Sequence, residues 1–268
     1  MGQIYQLLFY QPILNLLVVF YKAFEFLHIP GPLGFAVIAL TAAIRLLLYP
    51  LMATQMKSAK KMAMLKPHLD TISQKHKNDK QALQQAQLAL YKEHGVNPAA
   101  GCLPMLIQLP VLIALYGVFN QVLNNGNLGK VVEQLNSVVY APALKLTTLD
   151  ISFFGISLGI KPSQWQTHGW LLLSVPLVTG LLQWYQTKLM MSQQTAVKPL
   201  PVPTKKADTK DDKDKPKADT AMEMQKQMAI ITPIMFGYFA LQFPLGLALY
   251  WNVFGLFGIL QQLKINKS

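Results

Sequence analysis

Arg45 stands in the stretch LTAAIRLLLYP, residues 40 to 50, and no other arginine occurs in the chain. A cation in the middle of an apolar run costs roughly 2.5 to 3.5 kcal/mol on membrane-insertion scales. A purely structural arginine would want a buried acid, yet none of the long apolar runs contains Asp or Glu. Snorkelling offers little escape, because about eleven residues separate Arg45 from either end of its run. The remaining solution is a wet cavity between helices, in which the charge serves a function. Thr41 lies one helical turn earlier and shares the face of Arg45. Gln108, Gln183, Asn252, Thr179 and Tyr250 are further polar groups within apolar runs. No HExxH, CxxC, GxSxG or phosphate-binding loop occurs, and His28, His68, His76, His94 and His168 all fall outside those runs. The pattern argues against a metal enzyme or an intramembrane protease, and no metal or other cofactor is expected. Cys102 is the lone cysteine, so no internal disulfide can form.

The elements that must position these groups follow from hydropathy and charge. Hydrophobic residues make up 52% of the 268 residues and charged ones only 13%, against about 25% charged in an average soluble domain. Apolar stretches run over 34–56, 101–123, 169–191 and 228–263, each reaching the ~20 residues that cross a bilayer core. The last is far too long for one span and is divided at FPLG, Phe243 to Gly246, where proline removes a helical donor. The reading is an all-α membrane protein with five transmembrane helices: 34–56, 101–123, 169–191, 228–243 and 244–263. Lysines crowd 57–100 and 192–227 but are sparse in 1–33 and 124–168. By the positive-inside rule the crowded segments are cytoplasmic, the N-terminus lies outside and the tail 264–268 lies inside. Topology thus accounts for most of the excess of 24 Lys+Arg over 12 Asp+Glu, leaving little need for nucleic acid as a partner.

Residues 1–33 are apolar enough for a sixth span. Pro12, Asn15, Lys22 and Glu25 favour instead an amphipathic helix in the outer interface, with Ile13, Leu16, Leu17, Phe20, Phe24 and Leu27 on its apolar face. The segment lacks the basic start and small-residue cleavage site of a signal peptide. Within 57–100, Leu65, Leu69 and Ile72 form one helical stripe and Leu83, Ala86, Leu90 and Tyr91 another, separated by KNDK. Two such stripes predict a cytoplasmic helical hairpin, with Pro67 kinking or restarting its first helix. The stretch PLPVPTKKADTKDDKDKPKADT, with mixed charge, prolines and no aromatics, predicts a disordered cytoplasmic loop. The outer segment 124–168 carries no legible role.

Three longer patterns now stand together: GFAVIALTAAIRLLLYPLMATQMKSAKKMAMLKP, LYKEHGVNPAAGCLPMLIQLPVLIALY and FPLGLALYWNVFGLFGILQQ. In order and spacing (RxxxYP, VNPxxGCxPxxIQxP, FPxGLxLYW) they closely resemble the YidC family of membrane protein insertases, which has mitochondrial and chloroplast relatives. The resemblance spans roughly residues 30 to 265. It implies a five-helix core around a hydrophilic groove, open to the cytoplasm and to lipid and closed towards the outside. It implies that Arg45 is the groove arginine, that Thr41 is a groove position one turn earlier, and that Trp251 is an aromatic facing clients on the last helix. Gln108, Gln183 and Tyr250 are expected to line the groove.

The function implied is insertase and chaperone: short polar segments of nascent membrane proteins cross through the groove, and their apolar segments pass into lipid without bond chemistry. Partners implied are nascent clients and the lipid bilayer, with a Sec-type translocon and the ribosome as further candidates. A large outer domain and a long ribosome-binding tail are not matched, so ribosome contact is expected through the cytoplasmic loops. The absence of an Arg-rich, Ser-rich transit segment points to a bacterial plasma membrane. Two rivals remain open: an anion transporter using Arg45 as counter-ion, and a structural assembly factor in which Arg45 would be dispensable.

Overall fold

The computed structural model describes residues 3–97, 103–125, 128–196 and 219–267. It is mostly helical, with a single two-stranded sheet among the described residues. Much of the stretch expected to be a disordered loop, the PAAGC part of the VNPAAGC junction and the centre of NNGNLG lie outside the described residues. The chain divides into two compact units, Met1–Tyr49 with Pro104–Gln186 and Thr232–Ser268, and Pro50–Leu103 with Thr187–Ile231.

In the first unit, α1 (Gln3–Phe26) is the one helix among the described residues that alone is long and apolar enough to cross a bilayer. Leu14, Leu17, Val18 and Tyr21 recur at 3.6-residue spacing and are buried. They pack with Leu33, Ala36, Val37 and Leu40 of α2 (Pro32–Leu47). Asn15 on the same face is buried but fully used. Its amide nitrogen donates to the carbonyls of Gln11 (2.8 Å) and Val138 (2.9 Å), and its oxygen accepts from the Tyr140 backbone N–H (2.7 Å). It thereby ties α1 to the segment beyond the core. That segment lies between α6 (Leu103–Asn125) and α9 (Ser174–Ala196). It contains α7 (Leu128–Val138), which buries Val131, Val132 and Leu135, then β1 (Ser152–Phe153), β2 (Ile156–Ser157) and the short α8 (Trp165–His168).

The break between α10 (Asp219–Gln242) and α11 (Leu245–Lys267) falls at Phe243 and Pro244. A helix start leaves its first amides without internal partners. Here they are taken by the segment between α6 and α9: Leu245 donates to the Ile160 carbonyl (2.8 Å) and Gly246 to that of Leu158 (2.9 Å). Gly246 is also required by packing, since a Cβ on it would stand 2.1 Å from the ring of Phe119. No residue larger than glycine lets α11 approach α6 this closely.

In the second unit, α3 (Tyr49–Met64) leads into α4 (Lys66–Lys75) and α5 (Lys80–Glu93). Pro67 sits in the first turn of α4, where its missing N–H costs nothing. Leu65, Leu90 and Val96 form a small core with Met62, Leu69, Ile72 and Tyr91. Asp79 caps α5, its carboxylate accepting from the N–H groups of Gln81 and Ala82, both at 3.0 Å. Loss of such a cap costs about 1 kcal/mol. Asp79→Ala is therefore expected to speed amide hydrogen exchange in the first turn of α5 roughly fivefold, leaving the Arg45 region unchanged.

Candidate polar site between the helices

The residue expected to be a groove cation occupies the last turn of α2 and is only 4% exposed. One terminal nitrogen, Nη2, donates to the Phe254 carbonyl at 2.6 Å, and Nη1 donates to Oε1 of Gln261 at 3.0 Å. The Gln261 amide nitrogen reaches back to the carbonyl of Arg45 itself at 3.5 Å. Beneath the guanidinium lies the Phe254 ring, its centroid 3.5 Å from Cζ. That cation–π contact and two hydrogen bonds hold the group, with no carboxylate against it among the described residues. Its Nε is buried and has no hydrogen-bond partner among the described residues.

Glycine on α11 makes the space. A Cβ at Gly258 would lie 2.7 Å from the Gln186 amide nitrogen and 2.8 Å from Nη2 of Arg45. One turn earlier, a Cβ at Gly255 would meet Gln186 at 3.7 Å and Gln183 at 3.9 Å. Thus α9 lays Gln183 and Gln186 along the glycine face of α11 next to the cation. The structure brings Arg45 and Gln183 to one strip and adds Gln186 and Gln261. A signal for Gln186 was present, since it follows Gln183 by three residues on one helical face. Gln261 had none, because only the tertiary fold brings the end of the last helix back to Arg45.

The other expected residues fall around this strip in different ways. Gln108 of α6 donates from its amide to the hydroxyl of Tyr250, which is fully buried. The Tyr250 ring is 6.0 Å from that of Phe254, so this pair adjoins the ring beneath Arg45. Thr41 is fully buried, and its hydroxyl donates to the Val37 carbonyl of its own helix at 2.6 Å. Trp251 points elsewhere. Its ring packs against Phe236 (5.6 Å), Phe243 (5.7 Å) and Phe239 (6.5 Å), and it is 7% exposed. Its indole N–H and the Asn252 side-chain oxygen are buried without partners among the described residues. Within the strip itself the Nε of Arg45 is the donor left unused among the described residues, a state that buried native groups rarely show.

Comparison with known proteins bears on what such a strip serves. The family model described as "60Kd inner membrane protein" matches residues 25–268. A protein of Oceanobacillus iheyensis named "Membrane protein insertase YidC" is 33% identical over 239 residues, covering 87% of this chain and 74% of the relative. A Pelagibacter ubique protein of the same name is 31% identical over 252 residues, covering 93% of this chain and 38% of the relative. "ALBINO3-like protein 1, chloroplastic" of Arabidopsis thaliana is 31% identical over 244 residues, covering 90% of this chain and 44% of the relative. The chain spans about three quarters of the Oceanobacillus protein but less than half of the other two. A match along nearly the whole chain, carrying Arg45 and both ends of the polar strip within it, is decisive: the chain belongs to the YidC/Oxa/Alb family of membrane protein insertases.

Proposed function

We propose that this protein is a membrane insertase and chaperone that moves short polar segments of nascent membrane proteins across a bacterial plasma membrane. The observation that carries the reading is the chemistry around Arg45. A cation that is 4% exposed and held by an amide, a carbonyl and a ring retains its charge for another acceptor. The chain crosses the membrane five times, through residues 34–56, α6, α9, α10 and α11, with the N-terminus outside and the hairpin of α4 and α5 in the cytoplasm. The helix α1 lies along the outer interface. Its length would allow a span, but Pro12, Asn15, Lys22 and Glu25 fall within it, and its buried face is shared with α2 and α7.

A client's polar tail must pass a hydrocarbon layer in which each unsatisfied backbone group costs several kcal/mol. Gln183, Gln186 and Gln261 offer such groups partners part of the way. Arg45 attracts acidic residues, while the membrane potential contributes about 2.3 kcal/mol per charge per 100 mV. The client's apolar segment then partitions into lipid, which supplies the downhill step. Lipid and nascent clients are the partners; a Sec-type translocon and ribosome contacts through the cytoplasmic loops extend the same reading.

The test is insertion of a small single- or double-span client into proteoliposomes containing the purified protein, read by protease protection. Insertion above that of empty liposomes is expected, and none by folded protein would overturn the reading. Gln261→Ala removes the acceptor for Nη1 of Arg45, where a charge-assisted bond contributes ~1.5–3 kcal/mol. With the guanidinium loosened, an acidic-tailed client is expected to insert several-fold more slowly, and a neutral-tailed client, which loses only the Gln261 amide as a backbone partner, to slow by less in the same assay.

A further inference from the structure

We propose that the β1–β2 hairpin of the outer segment is a lipid anchor, dipping Phe154 into the headgroup and upper acyl region of the outer leaflet. Ser152 pairs with Ser157 and Phe153 with Ile156, so Phe154 and Gly155 form a two-residue turn. Both have positive φ, 49° and 79°, the combination of a type I′ turn, in which Asn-Gly is the usual occupant. A phenylalanine in the left-handed region is strained. It is also 82% exposed. Neither the turn nor the core explains an aromatic side chain there, so its surroundings must.

Its neighbour Phe153 points inward and fixes the height of the hairpin. A Cβ on Gly34, in the first turn of α2, would stand 2.0 Å from the Phe153 ring. Ring contacts pass from Phe24 of α1 to Phe35 (5.8 Å) and on to a cluster of Phe35, Phe153 and Phe154, with centroids 5.3, 4.6 and 6.4 Å apart. The hairpin tip therefore lies where the apolar run of α2 begins. Residues 151–160, ISFFGISLGI, carry no charge. Two further exposed groups mark the outer ends of neighbouring elements: Phe26 at the end of α1 and Trp170 just before α9. Trp at the ends of spans collects at the membrane–water interface, and phenylalanine on interfacial segments buries at the headgroup–acyl boundary. An uncharged, strained hairpin that presents phenylalanine beside a span's outer end fits lipid as its occupant. The anchor would hold the outer segment against the membrane, keeping the Leu158 and Ile160 carbonyls on the first turn of α11.

The inference rests on the spanning topology proposed above, and the experiment separates the two. In a Cys102→Ser background, an NBD fluorophore is attached at Phe154→Cys, at Lys145→Cys as a water reference, or at Ile234→Cys in α10 as a bilayer reference. Each protein is placed in phosphatidylcholine/phosphatidylglycerol vesicles carrying nitroxide at acyl carbon 5 or 12. Blue-shifted emission at 154, quenched more by carbon 5 than by carbon 12, is expected. Emission at 154 like that at 145, with 234 still quenched, would overturn the anchor and leave the topology standing. Loss of quenching at 234 as well would overturn both. On the unmodified protein in nanodiscs, hydroxyl-radical footprinting is expected to oxidise Tyr140 and spare Phe154; equal reactivity, normalised to intrinsic rates, would reject lipid contact without any substitution.

Discussion

Arg45→Ala is expected to slow insertion of an acidic-tailed client about tenfold or more, the effect of losing one charge-assisted interaction of ~1.5–3 kcal/mol. The same client with its acidic residues neutralised is expected to change little, because a charge-independent path through the polar strip remains. Arg45→Lys is expected to fall between the two. An ammonium is a compact charge that cannot keep both the forked hydrogen bonds to Phe254 and Gln261 and the stacking on the Phe254 ring. Folding should survive Arg45→Ala, since the groups it leaves are a helix carbonyl and a neutral amide rather than an orphaned carboxylate. Protease protection in proteoliposomes measures each rate. Equal insertion by wild type and Arg45→Ala for the acidic client would retain the insertase and discard this role for the cation.

The largest structural effect is expected at the other end of α11. Gly246→Leu would drive a Cβ, and three carbons beyond it, into the ring of Phe119, which has no exposed surface and no room to withdraw. Overpacking of this kind costs about 1–3 kcal/mol and occasionally more. Displacement of α11 would also pull the Leu245 and Gly246 amides from the carbonyls of Ile160 and Leu158. Each lost kcal/mol shifts Tm by about 2–4 °C in a chain of roughly this size, so a fall of about 10 °C in detergent is expected. A double mutant with Phe119→Ala should recover part of it, because the same volume is then vacated. Gly255→Ala is the contrast: its Cβ would meet nothing closer than 3.7 Å and should change Tm by less than a degree or two.

Individual residues show where local chemistry was legible and where it was not. Helix was readable where apolar residues recur every third or fourth position, but not which face is buried: the expected face was Ile13, Leu16, Leu17, Phe20, Phe24 and Leu27, whereas the structure buries Leu14, Leu17, Val18 and Tyr21. Pro244 marks the end of α10 and Pro67 the start of α4, because a missing N–H is best tolerated at helix ends, although Pro110 and Pro233 lie inside α6 and α10. Thr41 shares the face of Arg45, yet its hydroxyl turns back to Val37; whether a threonine points across or down its helix depends on neighbours that periodicity does not name. Trp251 follows Tyr250 directly, and 100° of helical rotation sends one to the aromatic cluster of α10 and the other to Gln108.

Arg45, the apolar runs and the distribution of lysines sufficed to indicate a membrane protein with one arginine among apolar residues, because the energetics of such a charge hold in any fold. The partners of that charge lie 209 and 216 residues away along the chain. Neither Phe254 nor Gln261 carries a local mark of the contact, and Gly258 looks like any other small residue until Gln186 and Arg45 close over it. The role of the segment 124–168 was likewise hidden. Its carbonyls satisfy the first turn of α11, and backbone hydrogen bonds between distant segments depend on where the chain is brought, which no side-chain pattern encodes.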